Sequence, residues 1–244
     1  MISTARSVGS PCERCIQVSQ QSISEAQAST AQTSKLLVFD FFAGTGSSTQ
    51  AFEDAGHTVI KVELDDYFEA HERDIMALTV DGLIAKYGQP DFIWASPPCT
   101  AFSVASIGHH WNIDKTPKTE AASFNQLLVA HTLKLIEGLK PKAWLMENPR
   151  GMLRTLPVVQ GLERRTVTYC AYGDTRMKPT DLWGSVKGWV HREACKAGMP
   201  CHEAAPRGSR TGTQGLKGAK ERSRVPYELS KEICTAVDNY GTKH

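Results

Sequence analysis

The sequence predicts an α/β fold built on a parallel sheet with helical crossovers, and three observations carry that reading. Apolar strand-like runs alternate with helical stretches from Lys35 to Trp183. A glycine turn, Ala43-Gly44-Thr45-Gly46, directly follows the first run and precedes a helical stretch. The second run ends on an acid, Glu63, about 20 residues downstream.

The elements follow in order. Residues 1 to about 35 are rich in Ser, Gln, Thr and Ala with little periodicity, which predicts a disordered extension. Its Cys12 and Cys15 form a single CxxC with no second ligand pair nearby, so no metal or redox role is assigned to them. LLVFDFF (36–42) reads as a strand, followed by a helix from about Ser47 and a strand HTVIKVEL (57–64). DFIWAS (91–96) is the next strand, then a helix spans about 119–139 and AWLMEN (143–148) is another strand. In RRTVTYCAY (164–172), Thr166, Thr168 and Cys170 alternate with Val167 and Tyr169, which predicts one more strand. Beyond Trp183 the chain turns to Gly, Pro and basic residues until PYELSKEICTAV (226–237) forms one amphipathic helix. No internal repeat is visible.

A chain of 244 residues has room for one main domain with a small lobe. No apolar run approaches the roughly 18 residues of a membrane span, so no membrane association is expected. MISTARSVGS lacks the apolar core of a secretory signal, and seven cysteines at irregular spacings make an odd count, which together predict a reducing, cytoplasmic compartment. The formal charge of +2 is unevenly spread: Gly184 to Val225 holds nine Lys or Arg against three Glu, a net +6 that leaves −4 elsewhere. Such a basic block suggests a phosphate backbone as partner, the bland alternative being a solvated loop.

Glycines in the turn let the backbone bend sharply and approach a ligand, beside a helix N-terminus expected to offer free N–H groups. Glu63 is placed to bind ribose hydroxyls, and Asp74 in HERDIMAL to meet an adenine amino group. The turn has no Lys and no third glycine in GxGxxG register, so a nucleoside without a pyrophosphate fits better. Cys99, in SPPCTAFS, follows Pro97 and Pro98, whose fixed φ angles hold the thiol in one place at the carboxyl edge of the sheet. Glu147 ends the next strand at the same edge, with Asn148 and Pro149 as a rigid exit. A thiol nucleophile, a carboxyl and a nucleoside site together describe addition to an electron-poor ring.

DFFAGTGSST, VELD, SPPCTAFS and ENPRG, in this order and spacing, resemble the motifs of the DNA cytosine C5 methyltransferases over residues 36–183. The later text, YCAYGDTRMKPTDLWG and CHEAAPRGSRTGTQGLKGAKERSRVPYELSKEI, looks like the compact phage and prophage branch of that family. The resemblance implies a Rossmann-like S-adenosylmethionine-dependent methyltransferase fold with a small basic target-recognition region. It implies a domain order of a 1–35 extension, a 36–183 catalytic domain, a 184–222 recognition region and a 223–244 C-terminal helix packing back on the catalytic domain. The implied reaction is methyl transfer from S-adenosylmethionine to C5 of cytosine in double-stranded DNA, after base flipping, in a bacterial or phage-infected cell; a monomer is the default expectation, read from no residue. Cys99 corresponds to the nucleophile that adds to C6, and Glu147 to the carboxyl on the N3 and N4 edge. Lys178 supplies a positive charge to the pocket. Phe42, Ala43, Gly44, Thr45, Gly46, Glu63, Asp74, Ile75 and Pro98 correspond to the cofactor site.

The chain departs from the family pattern in three places. Thr100 stands where Gln is usual, the QxRxR motif appears as Arg176, Lys178 and Thr180, and the C-terminal GNxV motif is replaced by RVPYELSKEI, leaving open whether Arg224 or Pro226 takes over its contacts. Cys195, Cys201 and His202, with Cys170 or His191, could gather around zinc, but the spacing is not a standard one and no metal is assigned. Two other readings stay open: a tRNA cytosine C5 methyltransferase, and a catalytically silent DNA-binding relative. Donation of a group other than methyl, from a modified cofactor, is a further variant that no residue demands.

Overall fold

A computed structural model describes residues 35–196, 198–203 and 218–241. The predicted N-terminal extension, with Cys12 and Cys15, lies outside the described residues, as do 204–217 of the basic stretch.

Six strands form one sheet: β1 (Leu37–Phe41), β2 (Thr58–Val62), β3 (Phe92–Ala95), β4 (Ala143–Pro149), β5 (Arg164–Thr168) and β6 (Pro179–Ser185), in the order β2-β1-β3-β4-β6-β5. The first four are parallel, as the alternation predicts. The expectation of a wholly parallel sheet needs correction, because β6 runs antiparallel to both β4 and β5. The link from β5 to β6 is a 3-10 turn at Tyr169–Tyr172 and a short loop, too brief for the crossover that a parallel pair needs. This turn also ends β5 at Thr168, four residues before the predicted limit.

No strand was predicted at β6, since Pro179, Asp181 and Gly184 all speak against one. Tertiary contacts neutralise each objection. Asp181 is wholly buried, but Arg154 grips it through two bonds of 2.5 and 2.9 Å and Thr166 adds a third at 2.7 Å. Gly184 has φ +100°, and a side chain there would overlap the Trp144 carbonyl.

β1 and β3 lie inside the sheet, so both of their faces are apolar and alternate residues feed two cores. Phe39, Phe41, Ile93 and Ala95 pack with α4 (Glu120–Leu139) through Leu128, Val129, Leu135 and Ile136. α2 (Val80–Tyr87) joins this layer through Leu83. Val38, Phe92, Trp94 and Leu145 face the other way, toward α1 (Gln50–Asp54) and α6 (Tyr227–Gly241). Two short helices, α3 (Ile107–His110) and α5 (Ala219–Ser223), lie in loops. Thr119 caps α4 by accepting the Ala122 N–H, and Thr79 caps α2 by accepting that of Gly82. None of the described helices is long and apolar enough to cross a membrane.

The chain leaves β1 toward β2 on one side, then returns through α2 to β3 on the other. The carboxyl ends of β1 and β3 therefore form a switch point, the place where open α/β sheets hold ligands. The Ser96 N–H donates to the Phe41 carbonyl at 3.0 Å, which joins the glycine turn after β1 to the Pro-Pro-Cys loop after β3.

Candidate active site

Phe42, Gly44 and Gly46 have φ of +63°, +50° and +71°, so the turn repeatedly enters the left-handed region. Three of its N–H groups are engaged: Ala43 donates to Val62 O, Gly44 to Glu63 Oε2 at 2.8 Å, and Gly46 to Ala43 O. The helix that follows begins at Gln50, three residues later than predicted, and one N–H of its first turn is already bonded. The Ala51 N–H donates to Ser230 Oγ of α6, and Ser230 donates onward to the Ser48 carbonyl. The side chains of Ser48 and Thr49 both donate to Asp40 Oδ2, drawing the turn down onto β1.

Val225 N–H bonds Ser47 Oγ at 3.0 Å, and Tyr227 Oη bonds Asp54 at 2.9 Å. RVPYELS therefore docks against the glycine turn and α1, and Val225, Tyr227 and Ser230 make those contacts. At the far end of α6, His57 accepts the Leu36 N–H through Nδ1 and faces Asp238 at 3.1 Å through Nε2, which fastens the helix to the start of β1.

Glu63 bridges two elements: one carboxylate oxygen takes Gly44 N–H and the other takes Asp65 N–H at 3.0 Å. Arg73, not singled out in the sequence, donates to the carbonyls of Glu63, Asp65 and Phe68 and shapes the loop between Glu63 and Asp74. Asp74 is exposed, accepts Met76 N–H, and precedes buried Ile75. Lys61 lies under Gly46 but is paired with Glu53 at 2.8 Å, so its charge is already matched. A fixed acceptor carboxylate beside an open glycine turn, with the adjacent Lys61 already paired, suits a nucleoside better than a polyphosphate.

Cys99 is half-buried on a loop held from three sides. Asn148 Nδ2 donates to Pro97 O at 2.8 Å, and Asn125 of α4 reaches Pro98 O and Thr100 Oγ1 at 3.4 and 3.3 Å. Met152 N–H donates to Phe102 O at 2.8 Å, alongside a bridge between Ser103 and Gly151. Gly151 has extended backbone, and its role is close approach: any Cβ there would overlap the Phe102 carbonyl. Burial pushes the Cys99 thiol above its usual pKa, the charge of Glu147 pushes it further, and Lys178 and Arg222 pull it back.

Glu147 is buried on β4, and Tyr169 Oη donates to its Oε1 at 2.9 Å. Lys178 Nζ is 3.9 Å from the same oxygen, lies 4.4 Å over the Tyr169 ring and donates to the Arg222 carbonyl. Arg176 pairs with Asp174 and donates to the carbonyls of Glu221 and Arg222 at 3.1 Å each. The partial QxRxR text thus sends one cation toward the carboxylate and binds the returning chain with the other. Tyr169 was read only as a strand residue; its signal was an apolar-face tyrosine, whose hydroxyl needs a partner once buried.

The family model for C-5 cytosine-specific DNA methylases matches residues 36–157, half of the chain. A curated relative, the probable DNA (cytosine-5)-methyltransferase of Frog virus 3 (isolate Goorha), is 30% identical over 216 residues, covering 81% of this chain and 98% of its own. The chain belongs to the C-5 cytosine-specific DNA methylase family.

Among solved structures, S. pombe Dnmt2 methyltransferase matches with a TM-score of 0.42 and 15% identity, over 62% of this chain and 49% of that one, so the chain spans about half its length. Magnesium protoporphyrin IX methyltransferase (ChlM) from Synechocystis PCC 6803, with bound SAM, matches with a TM-score of 0.35 and 13% identity, over 69% of this chain and 78% of that one. As a member of the methylase family the protein is a DNA (cytosine-5)-methyltransferase whose methyl donor is S-adenosylmethionine. That donor is a nucleoside without a pyrophosphate, the class that the Gly44 and Glu63 donor set suits.

Proposed function

We propose that the enzyme acts on duplex DNA at a short recognition sequence, extrudes the target cytosine and attacks it through Cys99. The observation that carries this is the placement of Cys99 and Glu147 on adjacent parallel strand ends, close enough that the glutamate charge perturbs the thiol, on a loop pinned by Asn148 and Gly151. A base inside the stack is out of reach of such a recessed pair, which requires base flipping.

S-adenosylmethionine, when bound, supplies an electrophilic methyl group on a sulfonium. Phe42 to Gly46, Glu63, Asp74, Ile75 and Pro98 would hold it at the switch point. Cys99 Sγ bonds C6 of the cytosine, and the proton it gives up passes through solvent to Glu147. Glu147, oriented by Tyr169, hydrogen-bonds the N3 and N4 edge and delivers a proton to N3, so the ring gains no net negative charge. C5 then takes the methyl group. Loss of the C5 proton to a base and return of the N3 proton to Glu147 expel Cys99 as thiolate and restore the aromatic ring. Lys178, 3.9 Å away, balances the charge of Glu147 while that proton is on the ring.

The basic residues of 184–222 are proposed to grip phosphates and read base edges. Arg192 is an exception, since it is paired with Glu232 at 2.7 Å and also donates to the Ala171 carbonyl. Lys220 lies over the rings of Tyr67 and Phe68, at 2.8 and 4.9 Å. Arg207, Arg210 and Lys217 lie outside the described residues.

The test incubates wild type and Cys99→Ala with cytosine-rich duplex DNA and S-adenosylmethionine, then measures nucleosides by mass spectrometry. 5-Methylcytosine with wild type alone supports the reading. Product from Cys99→Ala, or product on tRNA and never on the duplex, overturns it.

A further inference from the structure

We propose that Cys170, Cys195, Cys201 and His202 bind one structural zinc ion that staples the basic segment to the turn after β5. Their four ligand atoms all lie within 4.8 Å of one another, although Cys170 is 25 residues or more from the others in sequence. Tetrahedral zinc, with Zn–S of about 2.3 Å and Zn–N of about 2.0–2.1 Å, sets S···S near about 3.8 Å and S···N near about 3.5 Å. Cys201 Sγ is 3.8 Å from Cys170 Sγ, and His202 Nδ1 is 3.5 Å from Cys195 Sγ and 3.6 Å from Cys201 Sγ. Cys195 and Cys201 stand closer, at 3.0 Å, and they need part less than an ångström to admit an ion. A disulfide between those two would leave the third thiol and the imidazole without a reason to converge on the same point.

The surrounding backbone is held independently of any ion. Cys195 N–H donates to Thr168 Oγ1 at 2.7 Å, and Glu203 N–H donates to the Thr175 carbonyl at 2.9 Å. The segment therefore runs beside 168–175, and the 3-10 turn directs Cys170 toward it. Three thiolates and one imidazole select zinc among common divalent ions, and four protein ligands leave no open coordination position, which makes the site structural.

The reason for a metal here is packing. Between Trp189 and Glu203 the described residues form no helix or strand, and Val190 and Met199 are 84% and 52% exposed. Ordering such a stretch costs about 1–2 kcal/mol per residue in backbone entropy, with little apolar burial to offset it. A metal staple is the usual solution for a lobe too small to build a core. The sequence left the fourth ligand open between Cys170 and His191, and the turn after β5 brings Cys170 to the set.

The full chain, purified without a histidine tag or chelator, is analysed for zinc by inductively coupled plasma mass spectrometry. One zinc per chain is expected in wild type and in a Cys12→Ser/Cys15→Ser double variant, with loss in both Cys170→Ser and Cys201→Ser. Should those variants fail to fold, wild-type protein stripped by a chelator and refilled with cobalt(II) answers the same question. Intense d–d absorption together with thiolate-to-metal charge transfer is expected. Absence of zinc from wild type, retention of zinc in Cys170→Ser and Cys201→Ser, octahedral cobalt spectra, or a Cys195–Cys201 disulfide in the isolated protein would each overturn the proposal.

Discussion

Tyr169 Oη and Glu147 Oε1 meet at 2.9 Å inside the protein, where the phenol donates and the carboxylate accepts. Burial, then the charge and hydrogen bond of Glu147, hold the Tyr169 pKa well above the ordinary phenol range, so the phenol stays a donor at any working pH. This fixes which glutamate oxygen the phenol occupies.

Tyr169→Phe keeps the ring and removes that donor. Hydrogen bonds to charged groups contribute about 1.5–3 kcal/mol, so kcat should fall by about 10- to 100-fold while affinity for S-adenosylmethionine is unchanged. Steady-state kinetics with isothermal titration of the cofactor checks this; an equal loss in both would make Tyr169 a merely structural residue.

The raised pKa of Cys99 predicts slow alkylation at neutral pH, with a rate that climbs as pH rises through the shifted value. Removing the nearby anion in Glu147→Gln lowers the pKa and speeds alkylation at a given pH. Removing the cation in Lys178→Met does the opposite. Peptide mass spectrometry of iodoacetamide-treated protein over a pH series reads both, and the reverse ordering would contradict the electrostatics.

Gly151→Ala places a methyl group on the Phe102 carbonyl. Overpacking of this kind costs about 1–3 kcal/mol, and here the strain falls on the loop that carries Cys99. A lowered denaturation midpoint should accompany a larger loss of methyl transfer than of cofactor binding. Gly161→Ala, where no atom lies within 4 Å of the new methyl group, controls for surface position, although its φ of +82° adds its own backbone strain.

Asp40 is wholly buried, and desolvation pushes its pKa up from 3.8 to about 6 against the hydrogen bonds from Thr49 and Ser48. An acid with a raised folded pKa favours the folded state fully below the unfolded value and loses that contribution as pH rises through about 6. The change is on the order of 3 kcal/mol. Asp40→Asn, which can still accept from both hydroxyls, should match wild type near about pH 4 and exceed it near about pH 7. Chemical denaturation at both values measures this, and parallel pH profiles would refute it.

Much of the fold was legible because its signals are local. β1 to β4 and α4 appear in the sequence as apolar runs with the right period and capping residues, and each forms within a residue or two of its predicted limits. β6 was not legible: its buried Asp181 is tolerable only because Arg154 and Thr166 arrive from elsewhere in the chain. The same holds at the site. Cys99, Glu147 and Glu63 stand at strand ends in recognisable text, whereas Asn148, Gly151, Tyr169, Arg73 and Ser230 act through partners up to 182 residues away.

The sequence by itself determined the parallel core of the sheet and the placing of the Cys99 thiol and the Glu147 carboxyl at its carboxyl edge, since periodicity, glycine turns and proline frames act over a few neighbouring residues. Only the tertiary structure decided that RVPYELS would cap the glycine-turn helix, that Tyr169 would orient Glu147, and that Cys170 would meet Cys195, Cys201 and His202. The physical reason is that a hydrogen bond or a metal site between distant segments leaves no periodic trace in either one. It exists only once the sheet has brought the two segments together.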